Sequence, residues 1–340
     1  MTTGVDFDAV SEWIGGLGIG AVGPLAFDRV GNGQSNLTYS VADASGSRWV
    51  LRRPPLGTLL ASAHDVVREY KILSALQNTG VPVPKMIAVT EDPHVSDVPL
   101  VLMSYVDGIV LDSMQKAEAT APDIRRAIGS SMTSALASIH RVDLDSVGLT
   151  DLASHKPYAE RQLKRWRTQW QHTQTREVPA IDTLAERLAA NIPDQRELTL
   201  VHGDFHLNNV ITSPTTGDVV AVVDWELCTL GDPLADIGGL LAYWPEAGDA
   251  VAGPFMASTL PGFPTRQELT ADYAAKTGRD VTAVGFWQVL ALWKLSIIAE
   301  GVMRRAEADA RNRANAGSPT TTLIDDIVAR ALSTADDIGL

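Results

Sequence analysis

Apolar and polar residues alternate along several short stretches in the first third of the chain, and this pattern is typical of β-strands. The stretches with this pattern cover residues 25–30, 37–41, 48–52 and 100–108. The turn between the first two contains Gly33, Ser35 and Asn36, and its glycine allows backbone N–H groups to approach a ligand closely. The sequence therefore predicts a sheet built from hairpins that carries a small glycine-containing turn.

One strand and the helix after it contain side chains that complement each other. Residues 63–77 predict a helix with an apolar face, and Glu69 lies in the middle of that face. A buried carboxylate is costly unless a cation meets it. Arg52 shares one face of its strand with Val50 and is the natural partner, so we expect an ion pair between Arg52 and Glu69.

The later two thirds of the chain predict helices, because apolar residues recur there at intervals of three and four. The predicted helices cover residues 124–139, 158–172, 184–192, 267–277, 281–305 and 322–335. His140 follows the first of them, where a histidine is expected to cap or brace and not to catalyse. Residues 281–293, the longest uncharged apolar stretch, are too few to span a bilayer and predict a buried helix. The whole pattern indicates an α+β fold.

The stretch from residue 198 to residue 236 holds the candidate chemistry. A predicted strand leads into a turn with Asp204, and Asn209 follows five residues later. A predicted hairpin then ends its second arm at Asp224. Folding the hairpin back brings the three side chains to one end of a small sheet, without a neighbouring lysine or arginine to neutralise them. Such a cluster of oxygen ligands predicts a site for a hard divalent cation.

Phosphoryl transfer to a hydroxyl needs this set of groups. A carboxylate orients the attacking hydroxyl and accepts its proton, while an amide and a second carboxylate hold Mg²⁺ on the phosphates. Asp204 suits the first role. Asn209 and Asp224 suit the second.

The H-G-D-x-x-x-x-N spacing, followed by an apolar strand that ends in Asp224, resembles the loops of the aminoglycoside phosphotransferase and choline kinase group of small-molecule kinases. Residues 231–236, G-D-P-L-A-D, are also similar to that group. Residues 50–55, 63–69 and 224–226 look similar in particular to the phosphotransferase domains associated with acyl-CoA dehydrogenases.

The resemblance implies a protein-kinase-like two-lobe fold, with a small β-rich N-lobe over residues 1–106 and a large, mainly helical C-lobe over residues 107–340. It implies ATP, with GTP as an alternative, and Mg²⁺. The implied nucleotide-binding residues are Gly33, Ser35, Asn36, Val50, Arg52, Glu69, Met103, Ser104 and Val106. Arg52 stands where the family has a lysine, and a guanidinium binds phosphate as a planar fork instead of a point charge. Residues 202–209, which carry the H-G-D-x-x-x-x-N motif, correspond to the catalytic loop, and Asp236 is expected to brace this loop.

Composition narrows the choice of partners. The formal net charge of −13 argues against nucleic acid or an anionic membrane as the main partner. Cys228 is the only cysteine, which excludes an intrachain disulfide and a cysteine metal site. The N-terminus is acidic where a signal peptide would be basic, so we expect a cytoplasmic protein.

Several readings of the function stay open on the sequence alone. One alternative is a pseudokinase-like module that binds nucleotide or ligand with little or no turnover, which is favoured only by the arginine in place of the family lysine. A second is an antibiotic kinase that modifies aminoglycosides or macrolides, and an aminoglycoside would need a dense acidic lining. A metal-dependent hydrolase would need more His or carboxylate ligands than this cluster offers. Pro233 follows Asp224 by nine residues, which leaves no room for a peptide platform and favours a small-molecule hydroxyl acceptor. Trp244, Trp287 and Trp293 are expected to wall a partly apolar acceptor pocket, suited to a hydroxyacyl compound.

Overall fold

The computed structural model describes residues 4–30, 36–55, 65–249, 255–308 and 318–340 of the chain. The chain divides into two compact units, Met1–Asp107 and Gly108–Leu340. The first unit contains a five-stranded sheet and the second is mainly helical, so the mixed fold predicted from the sequence is confirmed. Of the predicted turn, Gly33 and Ser35 lie outside the described residues.

The described part of the first unit contains two helices and five strands, which are α1 (Phe7–Gly16), β1 (Ala26–Val30), β2 (Leu37–Ala42), β3 (Arg48–Arg53), α2 (Val66–Leu76), β4 (Met86–Thr90) and β5 (Leu100–Ser104). The strands form one antiparallel sheet in the order β1-β2-β3-β5-β4. Sequence reasoning leaves β4 out, because the prolines at 82 and 84 indicate only an extended segment.

The two helices of this unit cover opposite faces of the sheet. Val10 and Ile14 of α1 belong to a buried apolar cluster that includes Tyr39 and Leu51 of the sheet. Successive side chains of a strand point to opposite faces, so the residue after Leu51, Arg52, points away from α1 and contacts α2.

The described part of the second unit contains eight helices and four short strands. They are α3 (Met114–Glu118), α4 (Pro122–Ile139), α5 (Tyr158–Thr173), α6 (Pro179–Ala190), β6 (Thr199–Val201), β7 (Val210–Thr212), β8 (Val219–Val222), β9 (Thr229–Gly231), α7 (Leu234–Ala242), α8 (Arg266–Thr277), α9 (Val284–Ala308) and α10 (Thr321–Asp337). The predicted hairpin is formed by β7 and β8. The strand β6 pairs with β9, which is too short to be read from the sequence.

The helix α9 is central to the second unit and packs against α5, α6, α7 and α10. At 25 residues it extends far beyond the uncharged stretch 281–293. Within the described ranges, Val284–Glu307 is the one helical segment long and apolar enough to cross a membrane by length and composition, and its most apolar part is 67% buried in the protein. A buried core helix passes the same test.

The helices α7 and α9 approach each other closely at Gly238. A Cβ atom there would lie 2.5 Å from the Cβ of Trp287 and 2.6 Å from its carbonyl carbon. Gly239, the next residue of α7, would meet no atom within 4 Å. The two glycines therefore test this contact as a matched pair.

We expect Gly238→Ala to lower the free energy of unfolding by about 1–3 kcal/mol, because the two helices must move apart. Gly239→Ala should raise the free energy of unfolding by about 0.5–1 kcal/mol, since alanine is the better helix former. Denaturant unfolding followed by circular dichroism measures both values. Equal midpoints for the two variants would show that the helices are not in close contact at Gly238.

Candidate active site

The turn between β6 and β7 carries the candidate catalytic carboxylate. Gly203 adopts a φ of +83°, and a Cβ atom on it would lie 2.7 Å from the carbonyl oxygen of Leu227. Only glycine fits this position without strain. The side chain of Asp204 follows and is 25% exposed. A single turn of 3-10 helix, Leu207–Asn209, then leads into β7.

Asn209 and His206 lie against the Asp204 carboxylate. The Nδ2 of Asn209 donates to the backbone carbonyl of Asp204 at 2.8 Å and to its Oδ2 at 3.1 Å. The Nε2 of His206 lies 3.4 Å from the same Oδ2. The fold therefore brings Asp204 and Asn209 into contact, whereas His206 had no role in the sequence prediction.

The surrounding charges keep the Asp204 carboxyl ionised. Burial by itself raises the pKa of this group, but its hydrogen bond with His206 and the nearby ammonium group of Lys294 lower it by more than burial raises it. The pKa of Asp204 is therefore well below its usual range. The expectation that no lysine or arginine neighbours the cluster is wrong, because α9 brings Lys294 from a distant part of the chain.

Asp224 follows β8 in a conformation that is uncommon for residues other than glycine. Its φ of 66° and ψ of 61° are left-handed, and no other non-glycine residue of the described ranges has a positive φ. Such a backbone costs about 1–3 kcal/mol and is common at functional sites. The N–H of Val223 donates to the carbonyl of Asn209 at 2.9 Å, which holds Asp224 next to the Asn209 turn.

The buried imidazole of His202 joins the two loops. Its Nδ1 accepts the N–H of Asp204 at 3.3 Å, and its Nε2 donates to the carbonyl of Val223 at 3.0 Å. Burial lowers the pKa of His202 despite the opposing charge of nearby carboxylates, the first of them Asp236. A neutral imidazole offers one donor and one acceptor, which these two contacts use.

Asp236, on the first turn of α7, braces the catalytic loop. Its Oδ2 accepts the N–H of His202 at 2.7 Å, and its Oδ1 accepts the N–H of Gly203 at 2.8 Å. The Nε2 of His140 lies 3.2 Å from Oδ2, and the Nδ1 of His140 contacts the hydroxyl of Tyr273 at 2.7 Å. The predicted bracing by Asp236 and His140 is present.

The side-chain oxygens of Asn209 and Asp224 suit a magnesium ion whose other ligands would include phosphate oxygens. The hydrogen bonds of the Asn209 amide use Nδ2 and leave its oxygen, the atom that binds metal, outside them. Asp224 supplies a carboxylate. No three His, Cys, Asp or Glu side chains of the described residues are grouped to hold a metal. Mg²⁺ typically uses one or two carboxylates together with substrate phosphates, and this set is of that kind.

In the first unit, Arg52 and Glu69 form the predicted ion pair. The Nη1 of Arg52 lies 2.6 Å from the Oε1 of Glu69, and the two side chains are 11% and 3% exposed. Val50 lies on the same face of β3 as Arg52 and is paired in register with Met103 of β5. Four of the residues implied by the resemblance are therefore neighbours in this unit.

The remaining residues of that set are distributed around the sheet. The N–H of Ser104 donates to the carbonyl of Lys85 at 2.8 Å, so this N–H is not available to the adenine of a nucleotide. Val106 is half-buried just after β5. Asn36 is 6% exposed, and its Nδ2 and Oδ1 have no hydrogen-bond partner in the described structure. Buried amides without partners are rare, so Asn36 is a candidate for contact with a ligand.

Asp204 and Tyr243 line two cavities of the second unit. The larger has a volume of about 800 Å³, and apolar side chains of α9 and α10 form much of its wall. The smaller has a volume of about 40 Å³ and also contains Lys294 and Asp236. Burial, followed by the charge of Asp204, raises the pKa of Tyr243 well above its ordinary value of 10. No sequence pattern marks Tyr243 as part of the site.

The expectation that Trp244 and Trp293 wall a pocket is wrong. Trp244 and Trp293 are fully buried, and their Nε1 atoms donate to the carbonyls of Pro264 and Ile181. Trp287 lines the smaller cavity and not the larger one. Each indole of the first pair therefore belongs to the core, where its N–H has a backbone partner.

Residues 27–269 match the model of the phosphotransferase enzyme family. The chain is 36% identical over 310 residues to mouse acyl-CoA dehydrogenase family member 10, covering 90% of this chain and 29% of that protein. It is 33% identical to rat acyl-CoA dehydrogenase family member 11, covering 87% of this chain and 38% of that protein. The chain thus spans well under half the length of these relatives.

Solved structures share the fold. A protein of Ralstonia eutropha, provisionally assigned as an aminoglycoside phosphotransferase, is 30% identical with a TM-score of 0.78, and the match covers 98% of this chain and 99% of that one. Plasmodium vivax ethanolamine kinase has a TM-score of 0.61 at 13% identity, covering 94% and 85%. A thermostable aminoglycoside phosphotransferase in complex with ADP and hygromycin B has a TM-score of 0.58 at 15% identity, covering 92% of each chain. The protein-kinase-like fold is confirmed.

We expect Asp236→Asn to lower the free energy of unfolding by about 3 kcal/mol at pH 7, because asparagine keeps only one of the two oxygens that accept backbone N–H groups and places an NH2 donor at the other position. Burial raises the pKa of Asp236, but His140, His202 and the N–H of Gly203 lower it by a larger amount. The pKa of Asp236 in the folded protein is therefore below the ordinary value of 3.8. The stabilisation is therefore complete above that value and is lost as the pH falls through the lower, folded-state value.

Urea unfolding at pH 7 and near pH 2.5 measures this difference. The gap between wild type and Asp236→Asn should narrow at the lower pH. Asp280→Asn is the control, because Asp280 forms an exposed ion pair with Arg196 and its loss should change stability little. A gap that stays constant with pH would mean that the ionised form of Asp236 does not brace the loop.

Proposed function

The chain belongs to the phosphotransferase enzyme family, and on that premise we propose that it transfers the γ-phosphate of ATP, with Mg²⁺, to a hydroxyl of a small and partly apolar organic molecule. The observation that carries the proposal is the Asp204 carboxylate, which is ionised, fixed by Asn209 and in contact with a large, mostly apolar cavity. This combination suits a base that acts on a hydroxyl bound in that cavity.

In the proposed reaction, Asp204 orients the acceptor hydroxyl and takes up its proton as the phosphate is transferred. Its backbone N–H is held by His202 and its carboxylate by Asn209, so the base needs little reorganisation. Asn209 and Asp224 would hold the Mg²⁺. When bound, Mg²⁺ neutralises charge on the phosphates and orients them.

The nucleotide is assigned to residues of the first unit. Arg52 would contact the phosphates, and Glu69 fixes the direction of its guanidinium. Val50 and Met103 form an apolar pair suited to one face of the adenine ring. Asn36 offers an amide that has no partner in the described structure. Use of ATP in preference to GTP is part of the proposal, and the related fold with bound ADP supports a nucleotide substrate.

The acceptor is assigned to the larger cavity. Leu292, Leu295, Ile298 and Val302 line it from α9, at spacings that keep them on one side of the helix. Of its carboxylates in the described structure, Asp112 already pairs with Lys116. A polycationic antibiotic needs a denser acidic lining, whereas a hydroxylated molecule with an apolar chain would bury that chain here. The names of the mouse and rat relatives associate such domains with acyl chemistry, which supports a hydroxyacyl acceptor.

The roles of the two aspartates predict different defects. Asp204→Asn should lower kcat by about 10²- to 10⁴-fold, because the proton acceptor is lost. Its affinity for a magnesium complex of a non-hydrolysable ATP analogue should stay near the wild-type value, since the metal ligands remain. Asp224→Ala should weaken that affinity directly. Calorimetry with both variants tests the assignment, and equal losses of affinity would show that the roles are assigned wrongly.

The acceptor proposal predicts a dependence on apolar chain length. Across a series of hydroxy acids and their thioesters, kcat/KM should rise by about threefold to fourfold per CH₂ group, as expected for about 0.8 kcal/mol per buried group. Leu295→Glu should raise the acceptor KM by about tenfold or more, because it places a charge in the apolar wall. Nucleotide affinity should not change.

Val22→Glu is the control for added charge, because Val22 is 54% exposed in the first unit. It should leave both constants unchanged. Faster phosphorylation of kanamycin-like compounds than of any apolar alcohol in the series would contradict this assignment of the acceptor.

A further inference from the structure

Lys294 is an unusual residue for its place in the fold. It is the only charged residue of the segment 284–299 of α9, the central helix of the second unit. The ring of Trp166 lies 5.5 Å from its Nζ. An ammonium group that is largely withdrawn from water is costly unless its surroundings compensate it. Lys294 therefore requires a specific explanation.

Its main contact is with the catalytic loop. The Nζ of Lys294 donates to the carbonyl oxygen of Gly203 at 3.1 Å. The N–H of Gly203 is held by the Oδ1 of Asp236 at 2.8 Å, so polar partners fix this residue at both its N–H and its carbonyl. The next residue in the chain is the proposed base, Asp204. A shift of Gly203 would therefore move the base directly.

The small cavity places the charge of Lys294 beside the carboxylate of Asp204. Both side chains line this space, which at about 40 Å³ holds only a few water molecules and no acceptor. Burial lowers the pKa of Lys294, while the charges of Asp204 and Asp236 raise it and that of Arg165 lowers it. The ammonium thus shares the small cavity with the base, whereas Lys294 does not line the larger cavity.

We infer that Lys294 is a positioning residue for phosphoryl transfer, whose ammonium fixes the Gly203 carbonyl and, by its charge, the orientation of the Asp204 carboxylate. It does not bind the acceptor or the nucleotide. The inference rests on the proposed function, because it assigns Lys294 to the same base. A purely space-filling role predicts that an uncharged side chain of similar length would serve equally well.

Lys294→Met tests the role of the charge. We expect kcat to fall by about 10- to 100-fold, the loss typical of a base that is misplaced by about 1 Å. The KM of the acceptor and the affinity for the magnesium–nucleotide analogue should stay within about twofold, since neither ligand contacts Lys294. A wild-type kcat, or a defect confined to KM, would overturn the inference.

Lys276→Met is the matched control. Lys276 of α8 also contacts a backbone carbonyl, that of Ser130, and it pairs with Asp272 at 2.6 Å. None of these partners lines either cavity around Asp204. Removing Lys276 should therefore leave kcat unchanged, and a loss equal to that of Lys294→Met would point to a general effect of losing a lysine.

Chemical rescue separates charge from volume. In Lys294→Ala, propylammonium should restore kcat by about tenfold or more, because it supplies the three deleted carbons and the ammonium group. Propanol, which is neutral and of similar volume, should not. Equal rescue by the two compounds would mean that Lys294 only fills space.

Hydrogen exchange provides a test that needs no activity. The peptide covering residues 202–209 should exchange about tenfold faster in Lys294→Met than in wild type or Lys276→Met, because the carbonyl of Gly203 loses its side-chain partner. Unchanged exchange would overturn the inference even in an active enzyme. If wild type phosphorylates no acceptor, the proposed function fails, and this measurement alone decides whether Lys294 positions the loop.

Discussion

The buried carboxylate of Asp236 is the contact on which the candidate site depends. It accepts the backbone N–H groups of His202 and Gly203, the two residues that precede the proposed base. His140 and Tyr273 continue the contact into α4 and α8. A charge buried so completely persists only where its neighbours donate to it. The conformation of the catalytic loop is therefore determined by the packing of three helices and not by the loop alone.

Few of the polar side chains around Asp204, the proposed base, carry a charge. His202 joins Asp204 to Val223, the residue after β8, as a neutral imidazole, which satisfies one donor and one acceptor without adding charge. Lys294 is the cation that α9 contributes, and its charge lowers the pKa of Asp204. Asp224 keeps a strained backbone, and such strain persists only where the surrounding structure holds it. The site thus combines preorganised polar contacts with a local cost at the residue proposed to bind metal.

The sequence could predict the contacts that follow from short spacing or from the period of one element. Asp204 and Asn209 are five residues apart, and the pairing of Arg52 with Glu69 follows from a carboxylate on an apolar helix face next to a strand with a cation. It could not predict Lys294 beside Asp204, because periodicity identifies the buried face of a helix but not the element that the face meets. A single charge within that apolar face was nevertheless a usable signal.

For the tryptophans, the sequence led to a prediction that the structure contradicts. Size and apolarity favoured Trp244 and Trp293 as pocket walls, yet an indole also carries an N–H that is best satisfied by a fixed partner. Both found backbone carbonyls in the core, and smaller aliphatic side chains line the large cavity instead.

The helix α9 gives the site two separate surfaces. Trp287, Leu290 and Lys294 recur at the helical period and face the small cavity beside the base. The large cavity is lined from the same helix by Leu292, Leu295, Ile298 and Val302. Substitutions on the second surface can change the size and apolarity of the large cavity without removing the hydrogen bond from Lys294 to Gly203. Both surfaces belong to one helix, and the side chains on the two surfaces are free to vary independently. Under the proposed function, this arrangement separates the choice of acceptor from the chemistry of transfer within a single element of the fold.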